Sequence, residues 1–455
     1  MMFARSALTI ALALCLTQTA FSAQDNSDKS LNSSSNNSVT NTVSPESSDS
    51  ISSVNTAQNQ VTSDVTLEQG AGQNATQGTA QNIASQNEQN LKPTVVNQIS
   101  DINNASANES DTSKPVTSQT ERALEKAQAV VNTMPESPTD TANDTSKNSV
   151  QAKTAQEWTL EGLNNANWVS DLGKGQFTEY AKAQVLLNRF HASPGVIDGI
   201  SGKNMLKAIS AFQVMNGLKA TGALDTQTWD LLSAGQSNDV FQSYTITQQD
   251  IDGPYAASIP HDYAEQAKMK GLYYTRVTEM LGERFHMDEN FLRKINPDAT
   301  FAKAGETIVV TNTREDLSDP VSLIIAHKGA KQIYAFDSNN KMVATYPATI
   351  GSTDTPSPKG TYQVKAVAPN PWYGYNPKNF VQGKNMKPLS LPPGPNNPVG
   401  NMWIALSKPS FGIHGTPEPS LISKTASHGC IRLTNWDANA LSKRVKPGVT
   451  VRFLE

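Results

Sequence analysis

Residues 321–351 read VSLIIAHKGAKQIYAFDSNNKMVATYPATIG, and this stretch carries the clearest fold signal in the chain. Its apolar and β-branched residues form three short blocks, which are separated by the turn-like Lys328-Gly329 and Ser338-Asn339-Asn340. Three consecutive strands are therefore predicted. Further blocks read KGTYQVKAVAP, NMWIALS and VTVRFLE, so we expect a mainly β domain, a β-sandwich or half-open barrel, over residues 320–455.

A proline-rich stretch, Pro369 to Pro398, interrupts this β pattern. It is too irregular for a strand, and we expect a mobile loop that lies over a site. Trp372, Tyr373 and Tyr375 make it a candidate lid, with Tyr375 as a candidate substrate-binding residue. Ordinary aromatic packing of a covering loop is the alternative.

Residues 157–236 show helical periodicity instead. Helices are predicted over residues 180–190, over residues 205–213 and after Asp225, whose side chain suits an N-cap. Turns containing glycine join them, so we expect a small α-helical bundle. Its centre, GVIDGISGKNMLKAISAFQVMNGLKATGALDTQTWDLL, closely resembles the peptidoglycan-binding domain type 1 family, which implies a cell-wall glycan peptide as ligand. Most of its large apolar residues are expected in the core: Phe212, Leu218 and Trp229.

Residues 241–315 contain TEMLGERFHMDENFLRKINPDATFAKAGETIVV. This block resembles the body of a LysM repeat, in which a helix pair is followed by Asn-Pro and a Gly-Glu-Thr turn into a strand. The opening strand and Gly-Asp-Thr turn of that family are not evident. Two predictions stay open, a glycan-binding LysM-like unit and a structural spacer that packs against the β domain.

The first 156 residues lack a pattern that predicts a core. Residues 1–23 have the basic start, short apolar run and small residues of a cleaved secretory signal peptide. Residues 24–156 are rich in Ser, Asn, Thr and Gln and contain no aromatic residue, which predicts a disordered polar tether. Within it, the patch from Glu121 to Ala127 is expected to be a fluctuating turn. We expect secretion across the inner membrane to the periplasm or cell wall, with no membrane span after signal cleavage.

Charge and cysteine content narrow the function. Lys and Arg number 37 against 41 Asp and Glu, which gives no support for nucleic-acid binding. Cys15 lies in the signal peptide, where Leu14 disfavours lipid attachment. Cys430 is therefore the only cysteine of the mature protein, so no intramolecular disulfide can form. An unpaired thiol that is exported to an oxidising compartment suggests reactivity.

The sequence FGIHGTPEPSLISKTASHGCIRL places two histidines and this cysteine in one segment. Acyl transfer through a thiol needs a nucleophile, a base and donors for an oxyanion. We assign Cys430 as the nucleophile and His414 as the base. Gly429 permits a tight turn that aims its own amide and that of Cys430 at one oxygen, with the amide of His428 beside them. If Cys430 begins a strand, Arg432 lies on the same face, where it favours the thiolate and can hold a substrate carboxylate.

Other interpretations of Cys430 remain. A zinc site from Cys430, His414 and His428 has suitable ligand types, but it lacks a fourth ligand and a regular spacing. An inert structural cysteine beside a glycine turn is a second alternative. A papain-like peptidase is a third, although its usual sequence context is absent. We predict no metal and no organic cofactor.

At this point the motifs HGT and SHGCIRL look like the active-site signature of the L,D-transpeptidase catalytic domain, also called the YkuD family, and TPSPKGTYQV also resembles it. The resemblance implies that Cys430 attacks a peptidoglycan tetrapeptide stem at the carbonyl of its third residue. The terminal D-alanine leaves, and the thioester passes to an amine. It further implies that the carbonyl of Gly415 orients the His414 ring, that Ser427 lines the site and that Arg432 binds a stem-peptide carboxylate. Carbapenems are expected to acylate the same thiol.

The sequence therefore predicts a multidomain, secreted peptidoglycan L,D-transpeptidase that forms 3-3 cross-links between stem peptides and serves cell-wall biogenesis and cell shape. Its expected partners are peptidoglycan stem peptides and glycan. The acceptor stays open: a lipoprotein lysine, a D-amino acid or water, which would make an L,D-carboxypeptidase, all use the same thioester. A non-enzymatic wall-binding scaffold is the alternative from another class.

Overall fold

The computed structural model describes residues 117–135 and 157–455, apart from residues 171, 238, 314–315, 352–355, 378–386 and 428. Every described residue belongs to the unit that spans residues 76–455. The predicted signal peptide, most of the predicted tether and His428 thus lie outside the described residues. Within the described part, no helix combines the length and the apolar character needed to cross a membrane.

A helix, α1 (Ser118–Asn132), lies inside the predicted tether. Thr117 caps its first turn with the side-chain oxygen. Leu124, Ala127 and Val131 lie three and four residues apart, and all three are buried in the core that also holds the helical module. The fluctuating turn predicted here is wrong, because one short apolar face is enough to hold a helix when a partner surface can bury it.

The helical module contains α2 (Leu160–Asn165), α3 (Thr178–Arg189), α4 (Lys203–Met215) and α5 (Thr226–Ser233). The three predicted helices are present, and α2 is an addition. Asp225 caps α5 as predicted, since its carboxylate accepts a hydrogen bond from the N–H of Thr228 at 2.8 Å. Phe212 and Trp229 are buried, as core residues should be. The prediction of a helical region is confirmed.

The following segment begins with β1 (Phe241–Thr245) and ends with β2 (Thr307–Thr311), which pair antiparallel. Between them lie α6 (Gln248–Asp252), α7 (Tyr263–Gln266), α8 (Val277–Arg284) and α9 (Glu289–Lys294). An opening strand is therefore present, although it was not evident in the sequence. Phe241 is its one buried residue, so the alternation that marks a strand is nearly missing.

Nine strands form one hydrogen-bonded ladder among the described residues. They are β3 (Leu323–His327), β4 (Gln332–Phe336), β5 (Met342–Pro347), β6 (Thr349–Ile350), β7 (Gly360–Pro369), β10 (Met402–Leu406), β11 (Gly412–His414), β12 (Ile431–Arg432) and β13 (Thr450–Leu454). Their order is β5-β4-β3-β13-β7-β10-β11-β12-β6. The three strands predicted from residues 321–351 are β3, β4 and β5, and the mainly β prediction is confirmed.

The two ends of this ladder, β5 and β6, are separated in the chain by Ala348 alone. The ladder therefore curls back on itself rather than lying open. Strand β7 pairs with β13 along its first residues and with β10 along the rest. Helix α10 (Asn435–Ser442) follows β12 and is largely buried. These elements enclose an apolar core and fix the strand ends that carry the site.

Strands β8 (Tyr373–Tyr375) and β9 (Leu389–Leu391) pair antiparallel within the proline-rich stretch. The prediction that this stretch is too irregular for strands is wrong at these residues. Tyr373 and Tyr375 alternate with Gly374, which gives the short run the period of a strand. The hairpin packs in a small apolar cluster with Leu272 and Tyr263 of the preceding segment.

Candidate active site

The pairing of β11 with β12 brings the predicted nucleophile and base to one face. The two strands are parallel, with Ile413 opposite Ile431 and His414 opposite Arg432. Cys430 directly precedes β12 and lies two residues before Arg432, the spacing of side chains that share one face of a strand. The charge of Arg432 acts on both His414 and Cys430. The structure therefore brings His414 and Cys430 each within electrostatic reach of Arg432.

The ring of His414 is held on two sides. Its Nδ1 lies 2.7 Å from the carbonyl oxygen of Gly415, the contact that the family resemblance implied. A carbonyl only accepts, so Nδ1 carries the proton and Nε2 is left as the basic nitrogen. Trp403 stacks on the ring with centroids 5.6 Å apart. Burial and, to a smaller extent, the charge of Arg432 lower the pKa of His414 to about 3, although the hydrogen bond to Gly415 raises it.

Cys430 is half-buried, and its Sγ lies 3.6 Å from the carbonyl oxygen of Ser410. The pKa of the thiol is raised to about 11, because burial outweighs the lowering by a hydrogen bond from the backbone of Gly412 and by the charge of Arg432. The prediction that Arg432 favours the thiolate has the right direction, but burial outweighs it. Together with the low pKa of His414, this favours a neutral thiol beside a neutral imidazole in the resting site.

The turn before Cys430 is fixed through backbone contacts. Gly429 has a φ of +102°, and a Cβ there would lie 2.8 Å from the ring of Phe411, so glycine is required. Its carbonyl accepts a hydrogen bond from Ser357 at 2.8 Å. The hydroxyl of Ser427 accepts from the N–H of Gly351 and donates to the carbonyl of Cys430, both at 2.7 Å. Ser427 therefore holds the nucleophile's backbone in place, and this hydroxyl is already committed to those two bonds.

A buried amide supports the other side of the site. Oδ1 of Asn435, the first residue of α10, accepts from the N–H of Thr416 at 3.1 Å and of Asn401 at 3.3 Å. A Cβ on Gly415 would lie 2.1 Å from that oxygen, which explains the glycine after His414. Asn435 thus holds the His-Gly-Thr turn whose carbonyl orients the base.

Asn435 is itself fixed by a carboxylate from outside the β domain. Its Nδ2 donates to the two carboxylate oxygens of Glu283, on α8, at 3.0 and 2.9 Å. The hydroxyl of Tyr274 donates to the same carboxylate at 3.1 Å. The pKa of Glu283 is raised to about 8, because burial, with a smaller contribution from the charge of Glu279, outweighs the hydrogen bonds from Asn435 and Tyr274 that lower it. Sequence analysis missed Glu283, since no motif links it to a site more than a hundred residues away.

Aromatic side chains cover the site from the β8–β9 hairpin. Tyr375 is buried, and its ring centroid lies 5.1 Å from that of Tyr263 on α7. The structure therefore places this predicted substrate contact in aromatic packing. Tyr373 lies nearer the chemistry: burial raises the pKa of its hydroxyl, and Tyr263 and Cys430 raise it further. The Nε of Arg432 is buried and has no hydrogen-bond partner among the described residues.

The described residues hold no group of three His, Cys, Asp or Glu side chains arranged to bind a metal ion. His428, one of the three ligands considered for zinc, lies outside the described residues. Its predicted place beside the oxyanion therefore stays a prediction.

Two family models match the chain. The L,D-transpeptidase catalytic domain, YkuD, matches residues 322–452, and the domain described as "Putative peptidoglycan binding domain" matches residues 178–232. The first contains every candidate catalytic residue, and the second contains helices α3 to α5.

Curated relatives match the same region. "Putative L,D-transpeptidase YkuD" of Bacillus licheniformis is 28% identical over 176 residues, which are 38% of this chain and 90% of that protein. "Putative L,D-transpeptidase YqjB" of Bacillus subtilis is 30% identical over 133 residues, 28% of this chain and 68% of that protein. Among solved structures, L,D-transpeptidase 3 from Mycobacterium tuberculosis is 15% identical, with a TM-score of 0.25 over 33% of this chain and 76% of its own.

Proposed function

The chain belongs to the L,D-transpeptidase family, and we propose that it links peptidoglycan stem peptides by 3-3 cross-links, with Cys430 as the nucleophile and His414 as the base. The observation that supports these roles is the parallel pairing of β11 with β12, which aligns His414 with Arg432, two residues after Cys430, while the carbonyl of Gly415 binds the Nδ1 proton of His414. The enzyme is a transferase, and its substrate is peptidoglycan.

The neutral resting pair sets the order of proton transfers. As Sγ of Cys430 attacks the carbonyl carbon of the third stem residue, Nε2 of His414 takes the thiol proton. The oxyanion that forms is bound by the amides of Gly429 and Cys430, with His428 beside them. The imidazolium gives its proton to the leaving amine of D-alanine, and a thioester remains. The acceptor amine then gives a proton to His414 as it attacks, and the thiol regains its proton when it leaves.

Arg432 is proposed to bind a carboxylate of the stem peptide. Its buried Nε lacks a partner within the described part of the chain, and a buried donor without an acceptor costs about 1–3 kcal/mol. A bound carboxylate would supply that acceptor. Tyr373 is a better candidate than Tyr375 for the substrate side of the hairpin, because its hydroxyl is electrostatically coupled to Cys430.

The location of the protein and the detailed architecture of its domains are also proposals. Secretion to the periplasm or cell wall is supported by the matched domain pair, one for binding and one for remodelling peptidoglycan. The bundle and sandwich descriptions are supported by the contiguous helices α2 to α5 and by β7, which two sets of strands share. The domain limits 157–236, 241–315 and 320–455 and the reactivity with carbapenems are likewise proposals.

The test is intact mass of the mature protein after incubation with a disaccharide tetrapeptide, and separately with a carbapenem. A covalent adduct on the wild type alone, with released D-alanine and a cross-linked dimer, is expected. Cys430→Ala should form no adduct, and His414→Ala should form it about 10²- to 10⁴-fold more slowly. Free tripeptide without dimer would make the enzyme a carboxypeptidase, and transfer to a lipoprotein lysine would change the acceptor. No adduct with either compound would favour a wall-binding scaffold.

A further inference from the structure

A cavity of about 590 Å³ lies where three parts of the chain meet: the helical module, the middle segment (residues 241–315) and the β domain. Neither Cys430 nor His414 lines it. We call it the interdomain cleft. Its walls are the start of α4 and the turn before it, the turn between β3 and β4, and the loop Pro419–Lys424. That loop belongs to the connection between His414 and Cys430. The cleft has the volume of a small-ligand site, for which about 300–1,000 Å³ is usual.

Two lysines of the cleft hold the catalytic loop. Lys207, only 6% exposed, donates to the carbonyls of Ala330 and Lys331 at 3.2 and 3.0 Å and to the hydroxyl of Ser423 at 3.2 Å. The ammonium of Lys331 donates to the carbonyl of Ser423 at 3.0 Å. The helical module is thus bonded directly to the loop that leads to Cys430. Residues of both line the cleft.

The other two lysines, Lys203 and Lys424, are exposed. Neither has a hydrogen-bond or ion-pair partner within the described ranges. The positive charge of Lys203 also lowers the pKa of Lys207, which shows that cations crowd this wall. Four lysines face two aspartates in the lining, so the cleft carries an excess of positive charge. An anionic group is the complement that such a surface favours.

The cleft also has a smaller acidic part. Asp198 and Asp288 lie on its wall; burial raises the pKa of Asp198, and the charge of Asp288 adds a smaller increase, so the two carboxyl groups are near each other. Ile200, 44% exposed, and Val196 add apolar surface beside them. A ligand that carries a carboxylate, an amine and short aliphatic groups matches all three parts. A stem peptide with a terminal D-alanine and a diamino acid has this chemistry.

We propose that the interdomain cleft binds a second stem peptide, with its carboxylate toward Lys203 and Lys424 and its amine toward Asp198 and Asp288. This rests on the proposed function for the identity of the peptide. The site lies apart from Cys430 and shares the loop Pro419–Lys424 with it. Occupancy therefore couples wall binding by the helical module to the position of the active-site loop.

The experiment uses the mature full chain with Cys430 already acylated by a carbapenem, so that the catalytic pocket is filled. Calorimetry with a soluble disaccharide tetrapeptide should then still show one equivalent of binding. The double variant Lys203→Glu/Lys424→Glu should bind at least tenfold more weakly. A tetrapeptide with amidated carboxylates should bind the unsubstituted protein weakly and should not lose further affinity in that variant. Lys219→Glu/Lys446→Glu, which changes exposed lysines outside the cleft, is the matched control.

Equal binding by both double variants, or no binding by the acylated protein, would overturn the proposal. The four substituted lysines are exposed, so the substitutions should leave the midpoint of urea unfolding unchanged, and measuring this midpoint checks that the variants fold. If the thiol cannot be acylated at all, the transpeptidase chemistry fails by itself. Calorimetry on the same two double lysine variants in a Cys430→Ala background would then still measure binding of the tetrapeptide to the cleft.

Discussion

Exchanging the partners Glu283 and Asn435 tests whether the middle segment positions the base. In the wild type the amide of Asn435 donates to the carboxylate of Glu283, and its oxygen accepts from the N–H of Thr416. Asn435→Asp removes the donor, and above pH 8, where Glu283 is ionised as well, two negative charges face each other in a buried site. An uncompensated buried charge costs about 3–5 kcal/mol. Glu283→Gln alone keeps an acceptor oxygen and should cost about 1 kcal/mol.

The double variant Glu283→Gln/Asn435→Asp reverses donor and acceptor while the oxygen that faces Thr416 is kept. Its free energy of unfolding should return to within about 1–2 kcal/mol of the wild type, since the hydrogen bond is re-formed. For Asn435→Asp alone we expect kcat to fall about 10- to 100-fold with KM within about twofold, because displacement by 1 Å at a reacting group costs rate on this scale. The double variant should recover most of that kcat.

Urea unfolding and steady-state turnover of the tetrapeptide measure the two effects, with the exposed Glu265→Gln as the control. A double variant no better than Asn435→Asp would refute the proposed contact. The pH dependence adds a signed check. The pKa of Glu283 is raised from 4.5 to about 8 by burial, so the unfolded chain loses its proton first and stability falls as pH rises from 4.5 to 8. Glu283→Gln should remove that fall.

The rate at which iodoacetamide alkylates Cys430, followed by intact mass, should rise about tenfold per pH unit up to about pH 11, the pKa of the thiol, because only the thiolate reacts. A rate that levels off near neutral pH would instead indicate a preformed ion pair of the Cys430 thiolate and the His414 imidazolium. The pKa of Lys207 is lowered to about 7, chiefly by burial, so the free energy of unfolding should rise between pH 7 and pH 10.5. Lys207→Met should abolish this rise and should speed proteolysis in the loop Pro419–Lys424. Leu124→Ala should lower the free energy of unfolding in urea by about 2–3 kcal/mol, whereas the exposed Glu125→Ala should leave it unchanged; no loss at Leu124 would mean that α1 is not docked.

The parts of the fold that sequence predicted are those with a local signal. Strands β3 to β5 follow from apolar blocks broken by turn residues, and the helix after Asp225 follows from its cap. Strand β1 and helix α1 were not predicted, because each has a small apolar face that is recognised only when the surface that buries it is known. The same limit applies to charge at the site. The direction in which Arg432 acts on Cys430 was predictable, but the opposing effect of burial depends on how much of the chain covers the thiol.

The middle segment shows most clearly how a site extends beyond its motif. Leu272 donates its N–H to the carbonyl of Pro393 and accepts from the N–H of Asn396, so the segment fixes the loop after the β8–β9 hairpin. His286 stacks on Trp436 of α10, with centroids 5.1 Å apart. Glu283 then holds Asn435, and through it the turn that orients His414. These contacts show that the segment packs against the β domain, and the choice between a structural spacer and a glycan-binding unit for residues 241–315 stays a prediction. It follows that residues 322–452, the span of the catalytic-domain match, lack the buried carboxylate that fixes Asn435 and depend on the segment for the geometry of the base.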